Sequence, residues 1–247
     1  MTEDILYTKD GALASLRFNR PAKKNAITVA MYAGMVEALD DAAADSSVRA
    51  LGLFGGDDFT AGNDIGDFIA AGGFSEDMPV IAFLRAIERF PKPIVAGVKG
   101  VAIGIGTTML MHCDAVVAGR GARFALPFTK LGLVPEAGSS VLLPLIAGRM
   151  RASWLLLSGE QFGAEDACDM GFVSRVADDA DVDSAVAIMC GTLAELPPNA
   201  VATTKRLLKA RFGDMVERAM EEEVQAFGAA LQSDEARTAL LKFMSRP

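Results

Sequence analysis

The chain is poor in the side chains that most hydrolytic, redox and metal chemistry needs. It has one histidine in 247 residues, His112, which lies between Met111 and Cys113 in an apolar stretch. No G-x-S-x-G elbow occurs, so a Ser-His-Asp or Cys-His relay has no obvious place to form, and His112 reads as a packed helix residue. Three cysteines, Cys113, Cys168 and Cys190, are far apart, odd in number and without a C-x-x-C pair. That pattern excludes a disulfide framework, predicts a reducing compartment and offers no zinc-ligand spacing, so no metal is expected. Long apolar runs are missing too. The most apolar stretch, 94–119, is interrupted by Lys99, His112 and Asp114 and falls short of the ~18 unbroken residues of a spanning helix.

Positive charge is scarce. Lys and Arg number 24 against 32 Asp and Glu, a net charge of −8. Such a surface repels phosphate backbones, which argues against a nucleic-acid partner. An anionic ligand must then be met by a local basic patch or by backbone N–H groups. The first four residues show neither a basic nor an apolar signal region. The final 244–247, Met-Ser-Arg-Pro, is not a peroxisomal Ser-Lys-Leu signal. A cytoplasmic protein without a membrane segment is expected.

What the sequence does have is apolar material, 51% of residues against 23% charged. This suffices for a sizeable core in one large domain. Residues 5–18 alternate around Asp10-Gly11 as a β-hairpin. Thr28 is placed to cap a helix carrying Met31, Met35 and Leu39 on one face. Strands are expected at 48–54, 93–98 and 115–118, and helices at 81–90 and 102–113. That alternation predicts an α/β core with parallel pairing. Beyond Ser139 the segments 141–146, 151–157, 180–196, 199–212 and 215–231 read as mostly helical, broken at Pro197-Pro198.

Four stretches are candidates for chemistry. Phe59-Thr60-Ala61-Gly62-Asn63-Asp64-Ile65 follows a strand and opens a short helix, whose first N–H groups are unsatisfied and favour negative oxygen. Gly100 to Thr108 is a second strand, glycine turn and helix start. Its spacing is not that of a dinucleotide fingerprint. Each alone also fits an ordinary strand-to-helix turn, but brought together they make a two-donor oxyanion hole. Third, Glu136 in Leu133-Val134-Pro135-Glu136-Ala137-Gly138 stands in an apolar run. Desolvation there pushes a carboxyl upward toward a general base's range, although Glu after Pro also suits a first helical turn. Fourth, Arg20 to Thr28, with Lys23 and Lys24, is a basic loop that fits either a phosphate or plain solvent. The run Lys205, Arg206, Lys209 and Arg211 reads as a solvated helix face.

In combination and order, Asn19-Arg20-Pro21 with Lys24-Asn25-Ala26, Ala61-Gly62-Asn63-Asp64, Pro93-Ile94-Val95-Ala96 leading to Gly104-Ile105-Gly106, and Cys113-Asp114 resemble the crotonase (enoyl-CoA hydratase/isomerase) superfamily. The resemblance covers essentially the whole chain. It implies an α/β spiral of ββα units over residues 1–190 and a C-terminal helical region, 191–247, involved in packing or trimerisation. It also implies homotrimers or hexamers and an acyl-CoA thioester as partner, with CoA part of the substrate and no separate cofactor. The thioester oxygen would be held by the backbone N–H groups of Asn63 and Ile105. Lys23, Lys24, Ala26, Ala61, Gly62, Asn63, Asp64 and Ile65 would contact CoA, and Lys242 and Phe243 would reach a neighbour's CoA. Hydratases of this family carry two glutamates at positions that here hold Thr108 and Phe128. The segment from Pro135 to Ser140, with Phe68, Thr108 and Pro127-Phe128, looks instead like the peroxisomal-type Δ3,Δ2-enoyl-CoA isomerases, with Glu136 as proton shuttle. Hydration, another crotonase reaction, or silent acyl-CoA binding are the alternatives.

Overall fold

The computed structural model describes residues 2–70 and 78–244; the side chain of Phe68 and residues 245–247 lie outside the described residues. Strands β1 (Ile5–Asp10) and β2 (Leu13–Phe18) form the expected hairpin and lead to helix α1 (Val29–Ala44). The Thr28 hydroxyl accepts the Met31 N–H at 3.3 Å, and Met31, Met35 and Leu39 face the core. Next come β3 (Ala50–Phe54), α2 (Ile65–Ala70), α3 (Pro79–Arg89), β4 (Ile94–Val98), β5 (Val101–Ile103) and α4 (Ile105–Thr108). They are followed by β6 (Ala115–Gly119), β7 (Arg123–Ala125), α5 (Ser139–Ala147), α6 (Arg149–Ser158), β8 (Phe162–Gly163), α7 (Ala164–Asp169) and β9 (Arg175–Ala177). The chain ends in α8 (Val182–Ala194), α9 (Pro198–Ala210), α10 (Gly213–Leu231) and α11 (Asp234–Met244).

The strands sort into two sheets, ordered β1-β2-β3-β4-β6-β9 and β5-β7-β8. From β2 to β9 the larger sheet is parallel, and β3 and β4 are buried along their whole length, as both-face coverage requires. Strands β4 and β6 enter this sheet, while β5 and β7, which follow each of them closely, peel away into the smaller one. This repeated hand-over is the ββα spiral. One sheet face packs on the main core; the other, with Phe54, Val95 and Val117, is covered by Val182, Val186 and Cys190 of α8.

Two sequence expectations change. Residues 102–113 are not one helix. Gly104, at φ +56° and ψ −120°, ends β5, after which α4 lasts four residues and a 3-10 turn spans Met109–His112. The β-branched start of that segment is drawn into pairing, with Ala102 opposite Phe124. The segments expected after Ser139 are helical as read, and between them β8 and β9 rejoin the two sheets. Strands of two and three residues have no periodicity to read; a preformed edge recruits them.

The basic run on α9 is also not a solvated face. Arg206 and Arg211 are exposed. Lys205, however, is only 5% exposed and donates at 2.7 Å to both the Asp114 carboxylate and the Lys92 carbonyl, while Lys209 reaches Glu88. The apolar stems of these lysines cover the core edge while their charged ends find partners. At Pro197-Pro198 the helical runs 179–194 and 198–210 are bent by 108°. Among the described residues no single helix is long and apolar enough to cross a membrane.

Candidate active site

Strand-like pairing brings the two glycine turns together. Thr60 and Ala102 are parallel bridge partners, with the Thr60 N–H on the Val101 carbonyl at 2.9 Å and the Ile103 N–H on the Thr60 carbonyl at 3.0 Å. Three residues on from each lie Asn63 and Ile105, so parallel pairing leaves them side by side. Gly62, at φ +90°, makes that approach possible: a Cβ there would stand 2.7 Å from the Ile103 carbonyl oxygen. On the other side the Gly62 carbonyl and the Asp64 N–H both bond Ile27, at 2.8 and 2.9 Å. Because backbone groups alternate along an extended segment, the Asn63 N–H faces the opposite edge, toward Ile105.

Ile105 is the first residue of α4, so its N–H has no intrahelical acceptor. Among the described residues neither the Asn63 nor the Ile105 N–H has a hydrogen-bond acceptor. Both residues line one cavity of about 910 Å³. Its other walls are mainly apolar: Ile65 and Ile103, Phe128 and Leu133, then Phe227 and Leu231 from α10. The site is therefore an apolar chamber with two bare donors at one corner, an arrangement suited to an oxygen that gains negative charge.

Glu136 sits one layer deeper and is not on the cavity wall. It is 9% exposed, and its carboxylate accepts a short hydrogen bond from the hydroxyl of Thr108, three residues after Ile105. Burial pushes its pKa up from 4.5 to about 8; the Thr108 hydroxyl opposes that rise and the negative charge of Glu223 adds to it. A carboxyl in that range can both take and return a proton near neutrality. Tyr32 on α1 is the other nearby group. Its hydroxyl donates to the Asn63 side-chain oxygen at 2.5 Å, and burial followed by the Glu136 charge pushes its pKa well up.

Of the residues singled out in the sequence, Ala61, Gly62, Asn63, Ile65 and Ile105 line the cavity, and Lys23, Lys24, Ala26, Asp64 and Glu136 do not. Asp64 is occupied elsewhere. It pairs with Arg20 at 2.8 Å and accepts the Asp67 N–H at 3.2 Å, and the hydrogen bond from the Arg20 guanidinium holds its carboxyl below the usual range. Lys23 and Lys24 are exposed on the loop before Thr28, with Lys24 3.7 Å from Asp58. Lys242 and Phe243, expected to reach a neighbouring subunit, line the cavity of their own chain.

Two residues around Glu136, Tyr32 and Glu223, carried no expectation from the sequence, and neither did the bond that His112 makes to this turn. The His112 ring is buried, its Nε2 is 2.8 Å from the Ala137 carbonyl, and burial lowers its pKa to about 4. The neutral ring thus donates to the turn that carries Glu136. One signal for Glu223 was legible, since it falls on the stripe of Val216, Met220, Phe227 and Leu231, where an apolar residue belongs.

Over residues 8–246 the chain matches the family described as Enoyl-CoA hydratase/isomerase. It is 35% identical to Enoyl-CoA delta isomerase 2 of Rattus norvegicus over 251 residues, which covers 99% of this chain and 64% of that protein. The chain thus spans just under two thirds of that relative's length. Among solved structures, Pseudomonas aeruginosa OdaA superposes with a TM-score of 0.96 at 44% identity, covering 99% of this chain and 100% of that one. An enoyl-CoA hydratase/isomerase of Pseudoalteromonas atlantica T6c gives a TM-score of 0.94 at 40% identity, covering 98% and 97%.

Proposed function

Because the chain belongs to the enoyl-CoA hydratase/isomerase family, we propose that it is an isomerase that moves the double bond of a 3-enoyl-CoA to the 2-position. The observation that carries this reading is Glu136, a buried carboxylate bonded to Thr108 one turn of α4 after Ile105, while Thr108 and Phe128 stand where the family resemblance places the two glutamates of the hydratases. A 3-enoyl thioester has α-protons acidified by both carbonyl and alkene. Glu136 removes one from C2, and the negative charge passes to the thioester oxygen, which accepts from the Asn63 and Ile105 N–H groups. The protonated Glu136 then delivers its proton to C4 of the dienolate. One carboxyl serves both steps because C2 and C4 lie close on one face. The reading requires C2 to C4 to lie between the two backbone donors and the Glu136 carboxyl that Thr108 holds.

In this reading Ala26, Ala61, Gly62, Asp64 and Ile65 follow the CoA arm, Lys23 and Lys24 meet its phosphates, and no separate cofactor takes part. The exposed Leu207, Leu208 and Phe212 on and beside α9 support assembly into a homotrimer or hexamer, which light scattering measures.

The test is turnover of a 3-enoyl-CoA panel by wild type and Glu136→Gln, with products identified by mass. Wild type is expected to form 2-enoyl-CoA without gain of water, and Glu136→Gln to lose about 10³-fold or more in kcat. Hydrated product from wild type, or full activity in Glu136→Gln, defeats the proposal. Tight CoA binding with no turnover instead marks a binding module.

A further inference from the structure

We infer that Glu223, on α10, is a positioning residue for Glu136: its carboxylate grips the turn that carries the base and holds the base where the substrate meets it. The inference rests on Glu136 as the base. Glu223 is 7% exposed, and its two carboxylate oxygens accept the N–H groups of Gly138 at 2.6 Å and Ser140 at 2.9 Å. These are the second and fourth residues after Glu136.

The turn needs such a grip. Ala137 and Gly138 have φ of +62° and +70°, two successive left-handed residues, and the first of them is not a glycine. From the other side His112 donates to the Ala137 carbonyl. Residues 223, 227 and 231 stack four apart on one face of α10, and Phe227 and Leu231 line the cavity. One helix face therefore both walls the acyl chamber and anchors the turn of the base.

Around Glu136 and its turn stand Tyr32 from α1, Thr108 from α4, which bonds Glu136, the neutral His112, which bonds the Ala137 carbonyl, and Glu223 from α10, which bonds Gly138 and Ser140. Glu223 is the one carboxylate among them. Burial raises its own pKa, and the hydrogen bonds from Ser140 and Gly138 pull it back down. As an anion it disfavours a second negative charge on Glu136.

The experiment uses the full chain as wild type, Glu223→Gln and Glu223→Asp, reading kcat and KM against pH. It also follows Glu136 ionisation by ¹³C NMR of the glutamate carboxyls, assigned with Glu136→Gln. Glu223→Gln is expected to lower kcat about 10- to 100-fold with KM within about threefold, as a small displacement of a reacting group does. Its acid limb and the Glu136 titration midpoint move together to lower pH. Glu223→Asp keeps the charge, so its acid limb stays in place and part of kcat returns. An unchanged kcat and midpoint in Glu223→Gln, or activity lost only in step with folded protein, overturns the inference in favour of a purely structural helix cap. If wild type shows no isomerisation, the base reading fails, while the NMR midpoints still decide whether Glu223 governs Glu136.

Discussion

The corner around Asn63 and Ile105 and the turn around Glu136 are joined through Thr108, three residues after Ile105, yet they are built differently. The corner is held mainly backbone to backbone, through the Thr60–Ala102 bridge, the Ile27–Asn63 bridge and a glycine that lets two main chains meet, with the Thr60 hydroxyl accepting the Gly62 N–H at 3.1 Å. The turn's backbone is held by side chains from distant segments, His112 and Glu223, and its Glu136 side chain by Thr108. A site of the first kind tolerates side-chain change but no added bulk. A site of the second kind can be tuned one side chain at a time, and fails one side chain at a time.

Gly62→Ala should break the contrast most severely. The new Cβ cannot sit 2.7 Å from the Ile103 oxygen, so Asn63 moves off the corner. In the proposed mechanism this removes one oxyanion donor, at about 3 kcal/mol, roughly 100-fold in kcat, read by steady-state kinetics. Only a fully active Gly62→Ala would show that the corner is not built by close approach.

The pH dependence tests the turn next. Glu136 as the proposed base, with a pKa of about 8, loses its working form as pH falls, so kcat/KM should drop about tenfold per unit below that value. Stability runs the opposite way. The native state keeps the Glu136 proton up to about pH 8 whereas the unfolded chain loses it near 4.5. The contribution is full below 4.5 and is lost as pH rises through 8. Denaturant melts should therefore show Glu136→Gln gaining on wild type at pH 9 relative to pH 5.

Thr108→Val removes a hydroxyl that favours the ionised carboxylate. Its acid limb should move to higher pH, with activity at pH 7 down about tenfold, as for a hydrogen bond to a charged group. A limb moving lower would reverse the assigned role of that hydroxyl. The smallest effect is expected of Tyr32→Phe, which removes the hydrogen bond to the Asn63 side chain but leaves both N–H donors. It should cost about 1 kcal/mol in thermal unfolding and leave kcat within about threefold. A large kcat loss would mean that the corner too depends on side chains.

Much of this was legible in the sequence where the signal is local. The Asp10-Gly11 turn, the Thr28 cap, the proline-bounded α3 and the buried β3 and β4 are dictated within a few residues by turn chemistry, capping and hydrophobic patterning. The upward shift of Glu136 followed from its apolar neighbours, a rule of solvation that needs no fold. The short strands β5, β7, β8 and β9 carried no usable period, and Lys205 looked like any surface lysine until Asp114 stood opposite it.

By itself, then, the sequence determined the α/β alternation, the two glycine turns and the lone carboxyl among apolar residues, because backbone propensity and desolvation act over a few neighbours. Only the tertiary structure decided that Asn63 and Ile105 share a chamber, that Asp64 turns away to Arg20, and that Glu223, 87 residues beyond Glu136, holds its turn. Those outcomes depend on which segments become neighbours. Sheet register and helix packing set that, through contacts that no local pattern encodes.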